Sequence, residues 1–124
     1  MLFRSFKMFE RYTDKAKRVI FYARLEASKL GAAAIGPNHL LLGLEREDKK
    51  AVKRFLANNP EVEKLRQQIN PVGIPWPKLS TSVEIPLTEL SKRALRAASD
   101  AAEVAHHEVE HADLLCGLLS VARG

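Results

Sequence analysis

The segment most suggestive of chemistry is HHEVEHAD, residues 106–113, which contains the pattern H-E-x-x-H from His107 to His111. In zinc hydrolases this pattern places two imidazoles on one face of a helix, with the glutamate beside a metal-bound water. The match has that meaning only if residues 107–111 form one continuous helix and a third protein ligand lies nearby. The elements around the segment therefore decide whether it is a metal site.

The chain contains two copies of one helical pattern. In the first copy, Thr13 is a typical N-cap, apolar residues follow at helical spacing as far as Leu30, and Gly31 ends the stretch. A shift of 75 positions aligns this stretch with a second one, placing Thr13 on Thr88, Ala23 on Ala98 and Ala27 on Ala102. After a one-residue gap, Leu40-Leu41-x-Gly43-Leu44 falls on Leu114-Leu115-x-Gly117-Leu118. The sequence therefore predicts an internal repeat of helices.

Each copy is predicted to hold a long amphipathic helix, a tight turn and a short apolar helix. Gly43 and Gly117 lie inside the short helices, where glycine costs about 1 kcal/mol, so close approach of another helix is expected there. The first copy continues through helices predicted at Asp48–Ala57 and Pro60–Asn70. Residues 71–86 contain four prolines and are predicted to be an extended connector, in which we expect Trp76 to cover apolar surface.

The second copy ends at residue 124, soon after its second helix. We therefore expect the apolar face formed by Leu114, Leu115, Leu118 and Val121 to lack the cover that the first copy has. An exposed patch of that kind usually marks an interface. A second subunit, or the segment that carries Leu2, Phe3 and Phe6, is predicted to cover it.

The repeat changes the interpretation of H-E-x-x-H. Residues 107–111 align with the turn of the first copy, which contains Gly36 and Pro37, so a bend is predicted and no zinc site. His39 is expected to hydrogen-bond its turn, and Cys116, aligned with Leu42, to be a small core residue. The chain shows no catalytic triad and no nucleotide-binding loop. We predict no catalytic residue, no cofactor, no metal and no enzyme activity.

The composition narrows the class of protein further. The single cysteine cannot form an internal disulfide, and no apolar run is long enough to span a membrane. With no secretory signal at the start, these features predict a cytoplasmic protein. The net charge is +5, but acidic residues are interleaved with the basic ones and no aromatic-basic platform is visible. The charge pattern therefore favours a solvated basic surface over nucleic-acid binding.

Two stretches, MFERYTDKAKRVI from Met8 and IGPNHLLLGLERED from Ile35, resemble the amino-terminal domain of the Clp AAA+ ATPases. The resemblance extends over about residues 8–122, the second copy matching more loosely. It implies an all-α domain of two four-helix repeats, about 8–70 and 87–124, joined by the linker 71–86, with the second repeat truncated.

The resemblance also implies a function, namely docking of adaptor or substrate proteins for delivery to an ATP-driven unfoldase and its protease. Partner binding is expected at the two turns, at Asn38 and His39 and at the aligned Ala112 and Asp113. Relatives that bind phosphoarginine carry an acidic residue where this chain has Asn38 and Ala112, so that ligand is not expected. Alternatives are an accessory protein that stabilises the protease core, and a small basic nucleic-acid-binding protein. A homo-oligomer formed through the truncated repeat is a further expectation.

Overall fold

The computed structural model describes residues 11–60 and 86–123. The described part contains helices α1 (Asp14–Lys29), α2 (Pro37–Glu47), α3 (Lys49–Asn58), α4 (Glu89–Val104) and α5 (His111–Arg123). The all-α prediction is confirmed, since β pairing among these residues is limited to two isolated bridges. The predicted helix 60–70, the linker with Trp76 and the amino-terminal segment lie outside the described residues.

The two long helices begin and end in the same way. Thr13 Oγ1 accepts from the Ala16 N–H at 3.2 Å, and Thr88 Oγ1 accepts from the Ser91 N–H at 3.1 Å. Each helix ends in a left-handed residue, Gly31 with φ 68° and the aligned His106 with φ 60°. Backbone bonds from Ala32 N to Ala27 O and from His107 N to Ala102 O close the two ends. The internal repeat is thus present in the capping bonds as well as in the sequence.

The helices pair within each copy, α1 with α2 and α4 with α5. A Cβ placed on Gly43 would collide with the Val19 carbonyl oxygen and lie 2.9 Å from the Ala23 nitrogen. A Cβ on Gly117 would collide with the Ala94 carbonyl oxygen, and Val19 and Ala94 are aligned positions. The prediction of close helix approach at both glycines is confirmed.

The two copies are joined by reciprocal backbone bonds. Val109 forms a parallel bridge with Tyr12, through Thr13 N to Val109 O at 2.9 Å and Val109 N to Arg11 O at 2.8 Å. The aligned Ile35 forms the matching bridge with Leu87, through Ile35 N to Pro86 O at 2.8 Å and Thr88 N to Ile35 O at 3.0 Å. The turn of each copy is therefore held by the residues that lead into the other copy.

One core is shared by both copies. Its buried residues fall almost entirely at aligned positions: Ala16, Val19, Ile20, Ala23, Ala27, Ile35, Leu40, Leu41 and Leu44 of the first copy match Ser91, Ala94, Leu95, Ala98, Ala102, Val109, Leu114, Leu115 and Leu118 of the second. Val52 of α3 adds to the core, and no residue among 86–123 is its counterpart.

Three expectations about side-chain exposure are wrong. Leu114, Leu115 and Leu118 are buried within the chain, 1–5% exposed, because α5 packs against α4 and also contacts α1 and α2. The exposed face that suggested a second subunit is therefore absent at these leucines. Cys116 is exposed rather than in the core, because the leucines occupy the inward side of α5 and position 116 faces away from it. Ala105 aligns with Leu30, where the apolar pattern of the first copy ends, and was therefore expected to be apolar and inward, but it is the exposed C-cap of α4.

Candidate functional site

The residues of H-E-x-x-H lie on different elements. His107 follows the left-handed His106, Val109 pairs with Tyr12, and only His111 belongs to a helix, as the first residue of α5. The prediction of a bend is confirmed. Because the two histidines do not share one helical face, the segment lacks the arrangement on which zinc-hydrolase chemistry depends.

A different group of possible ligands lies in the same bend. One ligand atom from each of His107, Glu110 and Asp113 lies within 4.8 Å of the other two. Among residues 11–60 and 86–123, these three form the group whose spacing could hold a metal ion. His107 Nδ1 lies 2.6 Å from the Glu108 carbonyl oxygen, a contact that raises the pKa of His107 and favours its cationic form. Asp113 Oδ2 accepts from the Glu110 N–H at 2.9 Å. The side chains of His107 and Asp113 therefore already make bonds that stabilise the bend. The absence of a metal site stays a prediction.

His39 closes the first turn of α2. Its Nδ1 accepts from the Gly36 N–H at 2.9 Å, and its side chain is buried. Burial lowers the pKa of His39, which favours the neutral imidazole that can accept this bond. The expected hydrogen bond between this imidazole and its turn is therefore present.

Asp113 forms the equivalent bond at the start of α5, since Glu110 aligns with Gly36 and Asp113 with His39. Two different side chains at the third helical position thus accept from the backbone N–H of the residue that precedes the helix, in the manner of a capping box. A carboxylate is also favoured at this position by the positive end of the helix dipole. The sequence alignment placed the two residues at one position, but it gave no sign that they make the same bond.

The four residues expected to bind a partner therefore divide into two kinds. His39 and Asp113 face their own turns, whereas Asn38 is half-buried and Ala112 is exposed. Neither Asn38 nor Ala112 carries the carboxylate that would pair with a guanidinium. Each turn is therefore uncharged at this position.

A contact that the sequence did not suggest connects the second turn with α3. His111 Nε2 lies 3.3 Å from Asp48 Oδ2, and Asp48 is also the N-cap of α3, accepting from the Ala51 N–H at 3.2 Å. The start of α5 therefore lies beside the start of α3. The two residues are far apart in the sequence and belong to different copies, so no periodicity could indicate their pairing.

The comparisons with known proteins agree with this architecture. The sequence matches the Clp repeat (R) N-terminal domain family over residues 11–124. It is 33% identical over 119 residues to the Clp protease ATP-binding subunit ClpA homolog of Porphyra purpurea, covering 94% of this chain and 14% of that protein. It is 32% identical over 95 residues to the chloroplastic chaperone protein ClpD2 of Oryza sativa subsp. japonica, covering 73% of this chain and 10% of that protein. The chain thus spans about a tenth of the length of these relatives.

Solved structures show the same fold. The N-terminal domain of the ClpD chaperone from Arabidopsis thaliana superposes with a TM-score of 0.64 at 25% identity, covering 91% of this chain and 78% of that one. A structure from a study of a malarial protein secretion system superposes with a TM-score of 0.70 at 20% identity, covering 89% of this chain and 77% of that one. In Clp ATPases this region is the non-catalytic, protein-interacting amino-terminal part. On the matched residues and the shared fold, the chain belongs to the Clp repeat N-terminal domain family.

Proposed function

We propose that this chain is a docking domain that binds adaptor or substrate proteins for a Clp ATP-dependent unfoldase. Family membership supports protein binding, and the construction of the two turns supports their use as the binding surface. Each turn is fixed by a bridge to the other copy and by a side-chain bond to its own helix. Such a surface loses little conformational entropy when a partner binds.

Within this surface we assign contact with the partner to Asn38 and Ala112. His39 and Asp113 hold the two turns in shape, because their polar atoms are already bonded to the backbone. Uncharged contacts suit a domain that accepts many unfolded sequences better than one that reads a single charged group. A cytoplasmic location stays a prediction, although several relatives are named as chloroplastic. No helix in the described part could cross a membrane.

The proposal is tested with a labelled unfolded protein, reduced and carboxymethylated lactalbumin, titrated with this chain. Asn38→Arg combined with Ala112→Arg should weaken binding about tenfold, since two long cations replace an amide and a methyl at the contact surface. The control Asn58→Arg with Ser120→Arg adds the same charge at exposed positions of α3 and α5, outside the two turns. Equal binding by both double variants would contradict the use of the turns.

A second measurement separates the docking role from the accessory role. Sedimentation with an isolated Clp protease barrel, without ATPase, should leave this chain in the supernatant. Stable co-sedimentation with the barrel would favour a subunit that stabilises the protease core.

A further inference from the structure

A cleft runs along α3, the helix that packs against α2. It has a volume of about 480 Å³ and is lined by Val52, Leu56, Ala57 and Pro60, with Glu45, Lys49 and Lys53 at its edge. A cleft of this size is within the range of ligand sites. Because no residue among 86–123 forms a counterpart of α3, this surface is not part of the repeat.

The basic residues of α3 form one continuous ridge beside the cleft. Lys49, Lys50, Lys53 and Arg54 are all exposed, and the helix from Lys49 to Asn58 contains no acidic residue. None of these four side chains makes an ion pair with a described residue, whereas Arg18 and Arg46 are both paired with glutamates. At helical spacing, Lys49 and Lys53 stand directly over the cleft, and Lys50 and Arg54 lie next to them on the outer side.

The floor of the cleft indicates what kind of polyanion would fit. Leu56 and Ala57 offer aliphatic surface beside the buried Val52, and among the described residues the lining contains no aromatic ring on which a nucleic-acid base could stack. An aliphatic floor beside a row of cations instead complements an amphipathic peptide with leucine-like side chains on one face and carboxylates along its edge.

The position of the cleft connects it with the second turn. Asp48, which caps α3, lies against His111 at the start of α5, and Ala112 is the next residue. A polypeptide bound at the second turn could therefore continue onto α3 without crossing the molecule.

We propose that the α3 cleft binds an acidic, leucine-containing segment of a partner protein. This inference rests on the proposed docking function but uses separate residues. The binding free energy would come from aliphatic contact with the floor, while the lysines would orient the segment and speed its association.

The test uses a fluorescein-labelled synthetic peptide that carries leucines at helical spacing and glutamates between them. Fluorescence anisotropy should show binding that is about tenfold weaker for Lys49→Gln with Lys53→Gln, chiefly through a slower association rate. Raising the salt concentration from about 0.05 M to about 0.5 M should weaken wild-type binding and remove most of that difference. The control Lys92→Gln with Arg96→Gln makes the same charge change on α4 and should bind like wild type.

Further variants and probes separate the possible outcomes. Ala57→Glu, at an exposed position of the floor, should reduce peptide binding, whereas Ala101→Glu on α4 should not. Peptide binding that is unchanged by Lys49→Gln with Lys53→Gln, while carboxymethylated lactalbumin still binds, would overturn the cleft and leave the docking function standing. Tighter binding of labelled oligothymidylate than of the peptide, lost in the same variant, would make the ridge a nucleic-acid surface and also overturn the inference.

Discussion

The two copies have the same backbone arrangement but differ in the side-chain contacts between their helices. In the first copy, Arg18 donates to Glu47 from Nε at 3.0 Å and from Nη2 at 2.7 Å, in a bidentate pair between α1 and α2. The aligned positions in the second copy are Arg93 and Val121, which cannot form such a pair. The comparison teaches that packing at the helix crossing specifies the fold, because both copies keep it while only the first has the ionic pair.

A second ionic contact is also confined to the first copy. Arg46 donates to Glu26 at 3.2 Å, and its guanidinium carbon lies 4.6 Å from the centre of the Tyr22 ring. The corresponding residues of α4 and α5 are Ser120, Ala101 and Ala97. The second copy therefore holds its helices together by apolar contact, without the ionic contacts of the first.

The largest effect is expected where the copies agree. Gly43→Ala and Gly117→Ala should each lower the free energy of unfolding by about 2 kcal/mol or more, because the new methyl meets backbone that no rotamer change can move. The gain in helix propensity, about 1 kcal/mol, offsets only part of this cost. Urea denaturation of the two variants measures both values.

The control is Ser120→Ala, which adds a helix-favouring residue on the exposed side of α5. Its free energy of unfolding should stay within about 0.5 kcal/mol of wild type. A stabilised Gly117→Ala would show that the helices of the second copy are not in close contact.

Next in size are the two side chains that close α2 and α5. Asp113→Ala should cost about 1 kcal/mol, the usual value of a lost N-terminal bond. His39→Ala should cost somewhat more, up to about 2 kcal/mol, because it also leaves a cavity and a buried Gly36 N–H without its acceptor. Equal losses of unfolding free energy in the two variants would contradict the greater burial of the His39 side chain.

The stabilisation that His39 provides depends on pH. Burial lowers the pKa of folded His39 below the value of 6.5 that it regains on unfolding, so the unfolded chain binds the proton first. Its contribution to stability is therefore complete above about pH 6.5 and is lost as the pH falls from there toward the folded pKa. The difference in the free energy of unfolding between wild type and His39→Gln should narrow over this range. A difference that stays constant would contradict a buried, neutral imidazole.

Substitutions at the two left-handed residues should change the free energy of unfolding less, and the two changes should be opposite in sign. His106→Gly should raise the free energy of unfolding by about 0.5 kcal/mol, because glycine adopts a φ of 60° without steric cost. Gly31→Ala should lower it by about 1 kcal/mol at the aligned position. Thermal denaturation of both variants checks the signs, and a destabilised His106→Gly would point to a side-chain role for that histidine.

The smallest effect is expected for the ionic contacts. Arg18→Ala should lower the denaturation midpoint by less than any of the preceding losses and only at low salt, because the guanidinium is half-exposed. Arg93→Ala should leave the midpoint unchanged. The bond from Arg18 lowers the pKa of Glu47, so the effect of Arg18→Ala should be present above about pH 4.5 and lost at lower pH. An Arg93→Ala loss equal to that of Arg18→Ala would contradict the difference between the copies.

Much of the architecture could be predicted because the same helical pattern occurs twice in the sequence. Thr13 and Thr88, the apolar spacing that follows them, and the paired glycines are local signals, and apart from Ala105 at the end of the second stripe they were found where expected. The bend at residues 107–111 followed from its alignment with Gly36 and Pro37. The covering of Leu114, Leu115 and Leu118 could not be predicted, since it depends on how the two copies pack against each other rather than on any period within one.

The site was predicted less completely for a similar reason. The alignment placed Asp113 on His39, but the common bond depends on a backbone N–H whose direction no residue pattern reveals. The Asp48–His111 contact and the cleft along α3 depend on where α3 lies against α2, which a helical period does not specify. The sequence does reveal the row of basic residues on α3. The row indicates a peptide-binding cleft only together with the aliphatic floor, which the sequence does not reveal.

The reciprocal bridges have a consequence for how such a molecule could have arisen. Arg11 and Thr13 bond the bend of the later half as Pro86 and Thr88 bond that of the earlier half, which is the self-complementary pattern of a twofold-symmetric dimer. A polypeptide with one half only would leave those amide and carbonyl groups unsatisfied unless another identical molecule supplied the missing strand. Tandem fusion within one gene would then have converted an association that depends on concentration into a permanent one.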